Sequence, residues 1–189
     1  DNGHISLYRN GRRFLPDAGV FTYDDEATRK VYASTYMHNT VTKNKEDIRN
    51  MNGRLLKHES QPNAELIVTE NPGYDDLTHR RAIFLVDNKF FVVVDEAYGT
   101  AADVTVNLNF KLCADTSNGG LGRECCVIDE QGAHTVFGDD NNMIFKSFSE
   151  TSEGYAFSQG TCYYSDEIEQ RVQRKFYQLD VTKKADLAA

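Results

Sequence analysis

Two residues in the first forty could do chemistry together. Asp17 stands in Pro16-Asp17-Ala18-Gly19, just ahead of an apolar run, and His38 stands in Tyr36-Met37-His38-Asn39-Thr40. A carboxylate and an imidazole on facing strands make half of a divalent-metal site; imidazole favours zinc, a carboxylate-rich remainder favours calcium. The plainer role of the same pair is a turn-capping Asp and a hydrogen-bonded interior His. Arg9, Arg12 and Arg13 form a second constellation, forked guanidinium groups able to meet sulfate or carboxylate, or else a solvated turn. Tyr36 and Asn39 flank His38 and are candidates to face a bound ligand. His79, beside Arg80 and Arg81, reads as structural.

The four cysteines, Cys113, Cys125, Cys126 and Cys162, show no C-x-x-C spacing, which argues against a zinc ribbon. They read as buried small hydrophobes, with a disulfide between Cys113 or Cys162 and one of the adjacent pair as the alternative. On a strand, Cys125 and Cys126 would point to opposite faces. The sequence holds no G-x-S-x-G, P-loop, dinucleotide fingerprint or H-E-x-x-H, so hydrolase and nucleotide signatures are missing.

The elements that must position these groups are strands. In 103–112, Val104, Val106, Leu108, Phe110 and Leu112 alternate with Thr105, Asn107, Asn109 and Lys111, predicting one buried and one wet face. AIFLV (82–86) and FFVVVD (90–95) around Asp87-Asn88-Lys89 predict a hairpin whose continuous apolarity implies burial on both faces. Further strands are expected at 4–8, 19–23, 31–42, 55–58, 64–70, 133–137, 142–148 and 154–164. Turn signals at Asn10-Gly11, Asn52-Gly53, Pro72-Gly73, Asn118-Gly119-Gly120 and 139–142 punctuate them. Helix is confined to single turns near 24–30 and 44–51, and 165–176 fits either period. The reading is all-β, an antiparallel two-layer β-sandwich, in one domain over residues 1–189.

The net charge is −8, unevenly spread: ten Lys/Arg against eight Asp/Glu in residues 1–60, eleven against twenty-one in the rest. A dominant basic face is lacking, so a nucleic-acid partner is not expected. No apolar run approaches the ~20 residues of a membrane span, so no membrane partner is expected either. The chain opens on Asp1 without Met and closes on a small polar tail, 183–189, which reads as frayed. The sandwich is therefore expected to be incomplete, truncated at the N-terminus and at the C-terminus.

DNGHISLYRNGRRFLPDAGVFTY (1–23), MHNTVT (37–42) and LTHRRAIFLVDNKFFVVVDEAYG (77–99) occur in an order and spacing that resemble the heparinase II/III family of polysaccharide lyases. The likeness is greatest to its heparan-sulfate lyase branch, and beyond residue 100 it rests on strand rhythm. The resemblance implies an enzyme that pairs an N-terminal (α/α) helical toroid with a C-terminal β-sandwich and cleaves heparin or heparan sulfate by β-elimination. It implies an acidic polysaccharide and the toroid as partners, and a periplasmic or secreted setting. In the family an Asn and a Tyr of the toroid and a His just before D-N-G do most of the chemistry, so no catalytic residue is expected in this chain. His4 follows that motif and does not match the position. Asp17 and His38 match residues that hold a structural metal, zinc or calcium. The third ligand would lie upstream, so binding here is expected to be weak or absent. A carbohydrate-binding or purely structural β-sandwich is the alternative, weakened by the lack of Trp.

Overall fold

Asn10 and Gly11 both adopt left-handed backbone (φ 48° and 80°), the conformation that a two-residue hairpin turn requires. They join β1 (Leu7–Arg9) to β2 (Arg12–Leu15). The structure is a computed structural model that describes residues 2–49, 52–117, 122–148 and 155–188. After β2 come one helix, α1 (Glu26–Ala33), a 3-10 turn (Thr35–Met37) and β3 (Val41–Lys43). Four long strands follow, β4 (Arg54–Gln61), β5 (Ala64–Asn71), β6 (Thr78–Val86) and β7 (Phe90–Tyr98), then β8 (Val104–Lys111). The chain continues through β9 (Cys126–Asp129), β10 (Gly132–Thr135), β11 (Ile144–Lys146), β12 (Ala156–Tyr164), β13 (Val172–Lys183) and β14 (Leu187–Ala188).

All named strand pairings are antiparallel. A five-stranded sheet, β14-β7-β6-β5-β4, and a four-stranded sheet, β12-β13-β8-β3, form the layers of the sandwich, with β1-β2 and β11-β10-β9 as small flanking sheets. Val106, Leu108, Phe110 and Leu112 are buried as expected, together with Tyr177, Leu179 and Val181 of β13 and Phe14 of β2. Each such fully buried apolar side chain contributes ~1.5–3 kcal/mol. Val104 is partly buried and packs against this core.

Several expectations are corrected. The other face of β8 is not wet: Asn107, Asn109 and Lys111 are all at most 1% exposed. Residues 34–45 cover it, and several of its polar groups bond neighbouring side chains. Thr42 donates to Asn107 Oδ1 (3.0 Å), Asn107 to Asp180 (2.7 Å), and Tyr36 to Gln178 (2.7 Å). The Lys111 ammonium lies over the rings of Tyr36 (4.2 Å) and Phe176 (5.0 Å), and burial lowers its pKa to about 8. The segment 31–42 is not one strand. Asp25 caps α1 through the amides of Ala27 and Thr28, and only Val41 onward pairs in a sheet. Residues 19–23 form no named strand; Gly19 makes an isolated bridge to Ser165.

The β6–β7 hairpin forms in the expected register, turned by left-handed Asp87 and Asn88. Its tip is exposed rather than buried on both faces, with Phe90, Phe91 and Val92 open to solvent. The tail also departs from a frayed end: Leu187 and Ala188 pair with Ala97 and Glu96. The ambiguous stretch ends in strand from Val172. The turn at Asn118-Gly119-Gly120 lies outside the described residues.

Candidate functional site

Gly19 sits at φ 67° and donates its amide to Asp17 Oδ1 at 2.9 Å, a side-chain-closed turn that fixes the carboxylate. The second oxygen, Oδ2, accepts a hydrogen bond from His38 Nδ1 at 2.8 Å and lies 3.2 Å from His4 Nε2. His38 is therefore held at the C-terminal cap of the 3-10 turn, not on a strand, and Asp17 lies on the loop after β2. Their side chains nevertheless converge, as the family resemblance implies.

His4 is the partner that sequence reasoning missed. Gly3, at φ 74°, turns the chain so that His4 reaches back to the Asp17 loop. The rings of His4 and His38 meet edge to face, with centroids 5.4 Å apart. His4 Nδ1 accepts the backbone amide of Asn39 at 3.0 Å. A neutral His4 therefore carries its proton on Nε2, facing Asp17 and the Ser6 hydroxyl (2.9 Å). Burial drives the His4 pKa down to about 4, with the Asp17 charge opposing and His38, Arg81 and Arg174 assisting. Burial alone would raise the Asp17 carboxyl, but hydrogen bonds from His38 and the Gly19 amide hold it well below the ordinary range.

Two imidazoles and a carboxylate are the donor types of a zinc site. In a four-coordinate zinc centre neighbouring N and O donors stand about 3.4 Å apart, so the observed 2.8 and 3.2 Å require a small expansion. His4 imposes a further cost. With Nδ1 committed to the Asn39 amide, Nε2 must shed its proton, or the ring must turn and forfeit that bond. The set fits a divalent ion, with His38 and Asp17 the readier ligands.

The remaining sequence candidates are placed elsewhere or committed. Arg12 forms a two-bond pair with Asp139 (3.0 Å each), donates to Asn141 O (2.6 Å) and stacks 3.5 Å above Phe137. Arg13 pairs with Asp166. Arg9 is exposed and lines an apolar cleft of about 660 Å³ between β7 and β11. Tyr36 is half-buried, and burial raises its phenol pKa. Asn39, expected to face a ligand, is instead wholly interior: its amide donates to Ile5 O (3.0 Å), and Oδ1 accepts Lys111 N (2.5 Å). His79 is structural as expected, bonding Asp95 at 2.7 Å in the interior.

Fold and site thus define a predominantly antiparallel β-sandwich domain with a half-buried His–Asp–His cluster where the N-terminal hairpin meets the 3-10 turn. The Heparinase II/III-like, C-terminal family model matches residues 1–185, and the chain belongs to that family. It is 39% identical over its whole length to a heparin-sulfate lyase of Bacteroides thetaiotaomicron, covering 26% of that protein. A heparin-sulfate lyase of Pedobacter heparinus is 32% identical over 79% of the chain and 22% of the relative. Among solved structures, a crystal structure of heparinase III superposes on the entire chain with a TM-score of 0.88 at 38% identity, using 28% of that structure. A heparan sulfate lyase from Pedobacter heparinus gives 0.86 at 27% identity, again over the entire chain and 29% of that structure. The chain spans about a quarter of the length of these relatives.

Proposed function

We propose that this chain is the β-sandwich portion of a polysaccharide lyase that cleaves heparin- or heparan-sulfate-type glycosaminoglycan by β-elimination, and that it supports the substrate cleft without being active alone. The observation that carries the reading is the family match over residues 1–185 by a chain a quarter as long as its lyase relatives. In such a reaction a base removes the C5 proton of a uronic acid, the developing enolate charge is neutralised, and the 4-O bond breaks. Burial holds His4 neutral but weakly basic, and both of its ring nitrogens are engaged, by the Asn39 amide and by Asp17 and Ser6. Arg12 and Arg13 are already neutralised by Asp139 and Asp166. We therefore assign the base and the charge-neutralising groups to the helical toroid that the family resemblance implies, and the setting to the periplasm or the extracellular medium.

Asp17 and His38 are assigned to a weakly held structural divalent ion. When bound, the ion would cross-link the loop after β2 to the 3-10 turn; Asp17, His38 and His4 already make that link with protons. The decisive assay is incubation of the protein with heparan sulfate while following absorbance of the unsaturated uronate product. No turnover is expected. Turnover at the rate of an intact lyase would overturn the assignment of the chemistry to another part of the enzyme.

A further inference from the structure

Three thiols converge where the chain passes from β8 to β9. Asp115 and Arg123 exchange two backbone hydrogen bonds (3.0 and 2.8 Å), closing a loop at whose base stand Cys113 and Cys125. The sequence suggests that Cys125 and Cys126 point apart, but β9 begins only at Cys126, so Cys125 escapes the strand alternation. Both thiols turn toward Cys113. The Cys113–Cys125 sulfurs are 3.7 Å apart and the Cys125–Cys126 sulfurs 3.8 Å, and all three lie within 4.8 Å of one another. The Cys113 carbonyl oxygen is 3.5 Å from the Cys125 sulfur and 3.7 Å from that of Cys126. All three residues are buried in the main core, whereas Cys162 is only partly buried and packs in a separate cluster.

We propose that Cys113, Cys125 and Cys126 form a binding site for one thiophilic divalent cation of the zinc class, with the Cys113 carbonyl oxygen as fourth donor. A tetrahedral zinc with sulfur ligands at ~2.3 Å has sulfur–sulfur edges of about 3.8 Å and sulfur–oxygen edges of about 3.6 Å. Four of the six donor separations fall close to those edges, and the third sulfur–sulfur distance lies within 4.8 Å. A disulfide would need two sulfurs to close to ~2.05 Å and would strand the third thiol. Binding releases three protons and leaves one net negative charge on the centre. The backbone bonds between Asp115 and Arg123 hold the Cys113 and Cys125 segments together and so preorganise the donors.

Cadmium is a suitable probe, because its thiolate complexes absorb in the ultraviolet whereas imidazole and carboxylate complexes do not. The protein, reduced and stripped of metal, is titrated with Cd²⁺ and then with competing Zn²⁺. One equivalent is expected to develop a thiolate-to-metal band that Zn²⁺ removes, and to protect three thiols from alkylation. Cys125→Ser/Cys126→Ser is expected to weaken binding by more than about a hundredfold. Cys162→Ser and Asp17→Ala are expected to leave the band intact. Because core variants can fail to fold, the wild-type titration stands by itself: no thiolate band, or three thiols still open to alkylation at saturating Cd²⁺, would overturn the proposal. So would a band that survives the double variant.

Discussion

Arg81 Nη1 donates to the carbonyl oxygen of Asn39 at 2.7 Å in the protein interior. The same nitrogen donates to Gly3 O at 2.6 Å, so one guanidinium grips the residue after His38 and the residue before His4. Its other nitrogens pair with Asp95 at 2.7 and 2.9 Å, and Arg81 is only 1% exposed. Arg81 is thus a positioning residue for the His4–Asp17–His38 cluster, acting through backbone on β6 and on both histidine-bearing segments.

Arg81→Met should cost ~3–5 kcal/mol, the usual penalty for leaving a buried charge without its partner. Urea unfolding measures it. Arg81→Met/Asp95→Leu should recover part of that loss, since the stranded carboxylate is removed with its cation. A single variant within ~1 kcal/mol of wild type would mean that the pair is solvated, contrary to the burial.

The same network makes stability pH-dependent. Burial holds the His79 pKa below its ordinary value, with Asp95 opposing and Arg81 assisting. The unfolded chain therefore takes up a proton below about pH 6.5 that the folded protein resists, and stability should fall as pH drops through that region. The Asp95 carboxyl, which burial alone would raise, is held far below its ordinary range by Arg81 and His79. Its contribution is present above about pH 3.9 and is lost as pH falls below that. Denaturation midpoints between pH 7 and 3 should decline in two stages, with a maximal slope of about 1.4 kcal/mol per pH unit for each group. His4, whose pKa is also lowered by burial, contributes to the same upper stage, so His79→Gln should reduce that stage without abolishing it and leave the lower stage in place; an unaltered upper stage would remove His79 from the account.

How much of this was legible in the sequence depended on range. The alternation in 103–112 located β8 and its apolar face, because that pattern is local. It could not reveal that residues 34–45 fold over Asn107, Asn109 and Lys111, since a covered polar face and a wet one have the same composition. Asp17 and His38 were read as converging through the family motifs, yet neither stands on a strand. The helical caps at Asp25 and Ser34 split 31–42, although its Val and Tyr content favours strand. His4 follows the D-N-G motif and does not match the catalytic position, so the motif does not point to it. The available signal was Gly3, whose left-handed backbone reverses the chain there.

Gly19 links the fold to the cluster. Its φ of 67° disfavours any side chain, and a Cβ there would overlap the carbonyl oxygen of Ser165. Gly19→Ala should destabilise the protein by ~2–4 kcal/mol through strain and the forced retreat of the Ser165 backbone. Gly11, also left-handed but with nothing near its Cβ, should cost only ~1 kcal/mol when replaced by Ala. Thermal unfolding of the two variants separates steric overlap from backbone preference; equal losses would refute the overlap.

The last prediction concerns metal at Asp17 and His38. His38 already hydrogen-bonds Asp17 Oδ2 and His4 Nε2 stands close by, so an entering ion must displace their protons and widen the 2.8 and 3.2 Å contacts. Of these, His4 is the harder to recruit, because its Nδ1 would have to surrender the Asn39 amide. Calorimetric titration with Zn²⁺ and Ca²⁺, in the Cys125→Ser/Cys126→Ser background, should therefore give weak binding, far short of a three- or four-ligand zinc site. Asp17→Ala and His38→Ala should each abolish it, whereas His4→Ala should alter it by less than about tenfold. Calcium should bind no better than zinc, since a single carboxylate cannot supply the six or more oxygens that calcium takes. Tight zinc binding lost equally in all three variants would instead make His4 a full ligand, with the Asn39 amide bond too weak to hold its ring.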